Sequence, residues 1–416
     1  MDFPPQLQSA IGLGVFVFIG WALSENRAAF PWTLVVVGIT LQIGLATLFL
    51  GVPFMRDGLL SLNVLVDAIQ SATAKGTSFV FGFTGGGPAP FAVTNPKSIV
   101  TIAFTILPIV IVMSALSALL WHWRILPVVV RGFAYALEKS MKIGGALGLG
   151  CASNIFLGMI EAPLLIRPYL EKMTRSELFT LLTCGLANVA GTVLVLYATI
   201  LEPAIPGALG HIIVASLLSL PASILLSKVM IPGTETTPAD LGTKPLYRST
   251  MDAISTGAED GMKIYLSIIA MLVVMISLVA LANIALGNIE VAGAPLSFER
   301  AIGWIFAPIV WLIGVPFSDA AVAGSLMGTK TILNELIAYL NLAALPGDAL
   351  TERSKLLMLY AMCGFANLGS VGMMIGSISA LAPSRRDEIV ELSLKSIIPG
   401  TLSTCMTAAV VGLLPG

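Results

Sequence analysis

The chain has 416 residues, 56% hydrophobic and 11% charged, with a formal net charge of -1. Water-soluble domains carry roughly 25% charged residues, so this sequence lacks the polar surface that water requires and must face lipid. Near-neutrality, with no basic run interleaved with aromatics, excludes a nucleic-acid partner.

A helix needs about 20 apolar residues to cross a bilayer. The first clean run, 7–24, lacks a small-residue cleavage site and is followed by many more, so it reads as a span and not a signal peptide. The second is 32–52. Residues 53–97, with Gly85-Gly86-Gly87-Pro88, read as interfacial or extracellular helices and a turn; no strand–turn–helix context makes that glycine run a phosphate loop. Further clean runs lie at 99–121, 209–230, 264–286 and 394–414. Runs at 145–168, 177–201, 303–345 and 355–382 are as long but interrupted by polar residues, Gly or Pro. Broken helices survive in a membrane only where protein or a water-filled cavity surrounds them, so these form the expected functional core and the clean runs a scaffold.

Orientation follows from Lys and Arg near the span ends. Arg124, Arg131, Lys139, Lys142, Arg167, Lys172, Arg175, Lys228, Lys244, Arg248, Lys263, Arg385, Arg386 and Lys395 all lie on the cytoplasmic side if 145–168 and 303–345 are re-entrant hairpins. Arg353 and Lys355 then fall outside. The expected fold is an all-α polytopic membrane protein with eight transmembrane helices and two re-entrant hairpins. It would sit in a bacterial inner membrane with both termini periplasmic.

An internal repeat organises the chain. Thr174-Arg175-Ser176-Glu177-Leu178 leads into Cys184-Gly185-Leu186-Ala187-Asn188, and Glu352-Arg353-Ser354-Lys355-Leu356 leads into Cys363-Gly364-Phe365-Ala366-Asn367. Each copy follows an interrupted segment that ends in Tyr-Leu, at Tyr169-Leu170 and Tyr339-Leu340. An odd number of crossings between the copies inverts them, and paired interrupted segments in inverted halves point to a transport site near the midplane. The expected domains are scaffold helices over 1–130, the first repeat over 131–230, a cytoplasmic loop with a long scaffold helix over 231–300, and the second repeat over 301–416.

Glu161 and Glu335 are the carboxylates deep in the two hairpin segments. A charge at the bilayer centre costs at least ~2.5–3.5 kcal/mol, so these persist where a cavity, partner or ligand compensates. Lys330, five residues before Glu335, is an available ion-pair partner. Asn188 and Asn367 sit in segments that must unwind, where an amide accepts from a ligand hydroxyl, ligates an ion or caps a helix. Asn154, with backbone carbonyls freed by the break, suits a small oxygen cage for Na⁺. Asp319 reads as packing or ion pairing. Cys151, Cys184, Cys363 and Cys405 have no metal-ligand spacing, and two histidines, His122 and His211, build no centre by themselves. No Gly-x-Ser-x-Gly, His-Glu-x-x-His or acidic cluster occurs, so neither an enzyme nor a bound cofactor is expected.

At these residues the chain resembles the concentrative nucleoside transporter family. The resemblance runs over nearly the whole length: Ser78-Phe79-Val80-Phe81-Gly82, Leu107-Pro108, Asn154 to Pro163, Gly324 to Lys330, Asn334 to Tyr339, and Cys363 to Asn367. It implies a homotrimer of scaffold and transport domains working as an elevator that carries nucleosides with a coupling cation. It also implies that Glu335, Asn367 and Ser370 hold the ribose with Phe365 beside it, that Met159, Ile160 and Glu161 meet the base, and that Val189 also contacts the substrate. Asn154, Asn188 and the carbonyls of Leu157 and Val189 match the sodium site. Three positions depart from the pattern. Met159 and Ile160 replace a usual Gln-Thr, which removes polar readout of the base edge. Asn188 replaces a usual serine, leaving both Na⁺ coupling there and H⁺ coupling through Glu161 or Glu335 as readings. A modified nucleoside or free nucleobase is the alternative cargo.

Overall fold

The computed structural model describes residues 4–61, 63–94, 100–238, 246–291 and 293–414. Lys244, one of the loop cations used for orientation, lies outside them. Helices α1 (Pro5–Ala22) and α2 (Trp32–Ala46) come first, α2 continuing as a π-helix over Thr47–Gly51; α3 (Pro53–Ser61) and α4 (Asn63–Phe81) follow. A π-turn at Ile102–Ile106 opens α5 (Ile109–His122), which leads to α6 (Ile125–Met141). Next come α7 (Gly145–Asn154), α8 (Ala162–Leu165), α9 (Arg167–Leu170), α10 (Arg175–Ala187), α11 (Gly191–Leu201) and α12 (Ala208–Met230). Then come α13 (Thr250–Leu286) and a two-stranded antiparallel ribbon, β1 (Glu290–Val291) with β2 (Ala294–Pro295). The chain ends with α14 (Phe298–Ile313), α15 (Ala320–Ile332), α16 (Glu335–Ala344), α17 (Glu352–Met362), α18 (Leu368–Leu381) and α19 (Arg386–Leu413).

Seven stretches among the described residues are long and apolar enough to cross a membrane. Their burial sorts them: 89% of the Arg175–Leu201 window is buried, against 6% for Thr250–Leu286. A helix apolar on all sides is either a core element or lipid-facing. The broken α10–α11, with α12 and α19, are core, while α2 and α13 expose most of their apolar surface.

The region 303–345 does not form one hairpin. Gly314, at φ 110°, ends α14 as a separate amphipathic helix, and the turn that follows starts α15. Within that region helix–break–helix geometry is confined to α15–α16, and within 145–168 to α7–α8. The preceding helices are equivalent too: α6 packs on α7 and α14 on α15.

The two Cys-Gly-x-Ala-Asn copies break differently. In the first, the helix continues through Cys184-Gly185-Leu186-Ala187 and ends at Asn188, which is extended at φ −117°, ψ 164°. In the second it ends at Cys363, so Asn367 begins α18 as its N-cap, its side chain accepting from the Ser370 N–H. Across the molecule's centre the breaks are joined, the Phe365 N–H donating to the Asn188 carbonyl at 3.3 Å. Asp319 clasps the N-terminus of α17 by accepting from the Thr351 N–H and both the Thr351 and Ser354 hydroxyls.

Candidate functional site

A cavity of about 400 Å³ lies where the four breaks meet one face of α13. That volume is within the roughly 300–1,000 Å³ of small-molecule sites. Its first wall is the α7–α8 break, with Gly158, Met159, Ile160 and Glu161. Gly158 takes φ +87°, and a Cβ there would stand 2.6 Å from the Ala190 Cβ, so only glycine lets this turn approach the α10–α11 break. The lining also holds Glu335 at the first position of α16, with Phe365, Asn367 and Ser370.

The Glu335 carboxylate is 5% exposed and has both oxygens engaged. Tyr197 Oη donates to Oε1 at 2.6 Å, and Asn367 Nδ2 donates to Oε2 at 3.0 Å. The ion pair that Lys330 was available to make with Glu335 is not formed. Lys330 is fully buried, and its Nζ has no hydrogen-bond partner among the described residues. Its helix ends two residues later, and Glu335 starts the next one facing the cavity. Glu161 lines the cavity without an ion-pair partner among the described residues.

Of the residues expected to meet substrate, Met159, Ile160, Glu161, Glu335, Phe365, Asn367 and Ser370 line this cavity. Val189 does not: it is wholly buried, and Ala190 takes its place at the wall because the extended backbone alternates side-chain directions. The expected ion-site residues lie beside the cavity. Asn154 Nδ2 donates to the Gly150 carbonyl at 3.1 Å, and Asn188 Nδ2 to the Cys184 carbonyl at 2.9 Å. Both amide oxygens are left buried without a hydrogen-bond partner among the described residues. Buried acceptors are almost always paired, so two orphaned oxygens on adjoining breaks suit a small cation.

Sequence reasoning missed Tyr197 and the α13 face. The latter had a signal: Asp260, Lys263, Ser267 and Met271 recur at helical spacing and all line the cavity. Asp260 and Lys263 pair with each other at 2.8 Å.

Three sequence profiles tile the chain: one described as Na⁺ dependent nucleoside transporter N-terminus over 11–84, one as nucleoside recognition (gate) over 103–204, and one as Na⁺ dependent nucleoside transporter C-terminus over 211–412. Nucleoside permease NupC of Helicobacter pylori is 35% identical over 420 residues, covering 99% of this chain and 98% of its own. Sodium/nucleoside cotransporter 1 of Rattus norvegicus is 32% identical over 439 residues, covering 99% of this chain and 64% of its own. Among solved structures, CNTnw in an inward-facing substrate-bound state superposes with a TM-score of 0.90 at 32% identity, covering 98% of this chain and 97% of that one. CNTnw variants in outward-facing and intermediate states superpose at 0.89 and 0.88. A multi-pass, mostly helical chain that matches these relatives end to end belongs to the Na⁺-dependent nucleoside transporter family.

Proposed function

We propose that the chain is a secondary active symporter that takes up nucleosides with Na⁺, its repeats moving as an elevator against a scaffold of α1–α5 and α13. The observation that carries this is the cavity itself: Glu335, Asn367 and Ser370, joined by hydrogen bonds, share its lining with Met159, Ile160 and Glu161, and the Asn154 and Asn188 oxygens on the adjoining breaks are orphaned. A carboxylate accepts from two vicinal hydroxyls, while amide and hydroxyl groups both donate and accept, which suits the ribose of a nucleoside. Neutral amide oxygens ligate Na⁺ and do not take up a proton at physiological pH, so they favour sodium over proton coupling. The lining residues on α13 run from Asp260 to Met271 in the middle of the helix, with the charged pair Asp260 and Lys263 at the end nearer the cation-rich loop, which supports an inward-facing cavity.

On this reading α7–α8 and α15–α16 are re-entrant hairpins of inverted repeats, and the eighth crossing is the broken α17–α18. The exposed apolar face of α13 meets lipid and two further copies in a homotrimer. The protein resides in a bacterial inner membrane with periplasmic termini. Met159 and Ile160 give the base an apolar wall, so shape and stacking select among bases more than hydrogen bonding does.

The test is uptake of radiolabelled uridine, adenosine and inosine into proteoliposomes under separate Na⁺ and pH gradients. Accumulation driven by Na⁺ alone is expected. Accumulation driven by pH alone would replace sodium with protons, and none under either gradient would end the nucleoside reading. Met159→Gln with Ile160→Thr is expected to change the ranking of the three bases, and an unchanged ranking would remove these side chains from base contact.

A further inference from the structure

We infer that Lys330 is a tethered cation: its ammonium holds, in the second repeat, the position that the coupling ion holds in the first. The inference rests on the ion site proposed at Asn154 and Asn188, and it follows from register. Gly148 and Gly324, six residues before Asn154 and Lys330, each face the helix that precedes their hairpin. A Cβ at Gly148 would stand 3.3 Å from the Ala134 carbonyl of α6, and one at Gly324 would stand 2.9 Å from the Ala307 nitrogen of α14. These approaches, with a further one at Gly328 against Ile302 of α14, put α7 and α15 in the same orientation, and the leucine that follows each position selects the register. Three residues after each position stands a leucine at the break, Leu157 and Leu333. Asn188 and Asn367 occupy the same place in the Cys-Gly-x-Ala-Asn copies.

The second copy of this constellation is no longer an oxygen cage. Asn367 Oδ1 accepts from the Ser370 N–H at 2.8 Å and its Nδ2 is spent on Glu335, whereas the Asn154 and Asn188 oxygens are orphaned. Where the first copy has the Asn154 amide, the second has a wholly buried ammonium with no hydrogen-bond partner among the described residues. The carboxylate near enough to act on it is Glu335, five residues on in the cavity wall. A carboxylate held out of water needs a nearby positive charge, and in a low-dielectric interior that charge acts without direct contact. Sodium arriving with the substrate supplies it in the first half; Lys330 supplies it from the chain itself in the second. A spacer role for the long aliphatic stem is the competing account, and methionine would fill that role equally well.

The experiment uses the full chain in proteoliposomes, with uridine as the probe and Na⁺ varied. Lys330→Met keeps the stem and loses the charge, and is expected to weaken uridine binding at least about tenfold at every Na⁺ concentration. Lys330→Asn rebuilds an oxygen ligand, and is expected to regain uptake at high Na⁺ with the Hill slope for sodium raised by about one. Wild-type uridine affinity in Lys330→Met overturns the inference by itself, whether or not Lys330→Asn folds. So does a Lys330→Asn variant whose uptake stays low or whose sodium slope is unchanged. Asn154→Leu, run alongside, is expected to lose sodium stimulation; if it retains it, the ion site in the first repeat falls, which is a different failure.

Discussion

Glu335 is the residue on which the cavity's chemistry turns, and it has two donors already in place. Tyr197 and Asn367 each occupy one of its oxygens, and a carboxylate has about four lone-pair sites, so a substrate hydroxyl has room to approach without displacing either. Tyr197 thereby fixes the direction in which the remaining lone pairs point. A hydrogen bond to a charged group is worth about 1.5–3 kcal/mol, which corresponds to roughly 10–150-fold in affinity. Tyr197→Phe is expected to raise the uridine KM by that factor while leaving the protein folded, because the ring remains packed on Tyr339 with centroids 5.2 Å apart. A KM within about twofold of wild type would show that Asn367 alone orients the carboxylate. Glu335, Asn367 and Ser370 were legible in the sequence because charge and amide are costly in an apolar run. Tyr197 was not: one tyrosine among Leu194, Val195, Leu196 and Ala198 reads as core, and its partner lies 138 residues away.

The breaks carry the site, and glycine permits them. Gly158 has φ +87° and faces the Ala190 Cβ at 2.6 Å, whereas Gly293, at φ +76°, meets no described atom within 4 Å. Alanine in the left-handed region costs about 1–2 kcal/mol at either position, and overpacking adds about 1–3 kcal/mol at Gly158 alone. Gly158→Ala is therefore expected to lower the melting temperature in detergent more than Gly293→Ala does. Equal shifts would mean that the α7–α8 turn has slack against the α10–α11 break. The existence of these breaks was readable from polar residues and glycines inside long apolar runs. Their exact form was not. Identical Cys-Gly-x-Ala-Asn motifs break at opposite ends because Asn367 has a helix to cap, with the Ser370 N–H in reach, and Asn188 has none. The extent of the second hairpin was overread for a related reason: α14 is apolar on its inner side and continuous in composition with α15, and the φ 110° turn at Gly314 that separates them leaves little trace in hydropathy.

At the scale of the whole molecule, one ion-pair cluster ties the outer helices to the core. Glu25, in the connection between α1 and α2, accepts from Arg175 Nη2 at 3.0 Å and from Lys395 Nζ at 2.7 Å, and these belong to α10 and α19. If the repeats move past α1 and α2 as proposed, these bonds cannot persist in both end states, so the cluster favours the conformation in which they form. Partial burial raises the Glu25 carboxyl pKa, but the bonds to Arg175 and Lys395 more than offset it and hold the group below its ordinary value. A carboxylate depressed in one state stabilises that state above its unperturbed pKa, and the benefit is lost as pH falls through the depressed value. The side chains are about one-third exposed, so solvent screening limits each pair to about 0.2–1 kcal/mol. Together they shift the balance of states by roughly 2–30-fold. Spin labels on the α1–α2 connection and on α19 would read that balance as a distance distribution. At neutral pH and low salt, Glu25→Gln is expected to move population toward a second distance. Acidifying the wild type through the depressed carboxyl value should produce the same movement, and Glu25→Gln should not respond to acid. High salt should narrow the difference between the two proteins, since exposed pairs are screened within about 10 Å at 0.1 M. Identical distributions for wild type and Glu25→Gln at neutral pH would mean that the cluster forms equally in both end states, and that the moving boundary does not pass between α1–α2 and α19.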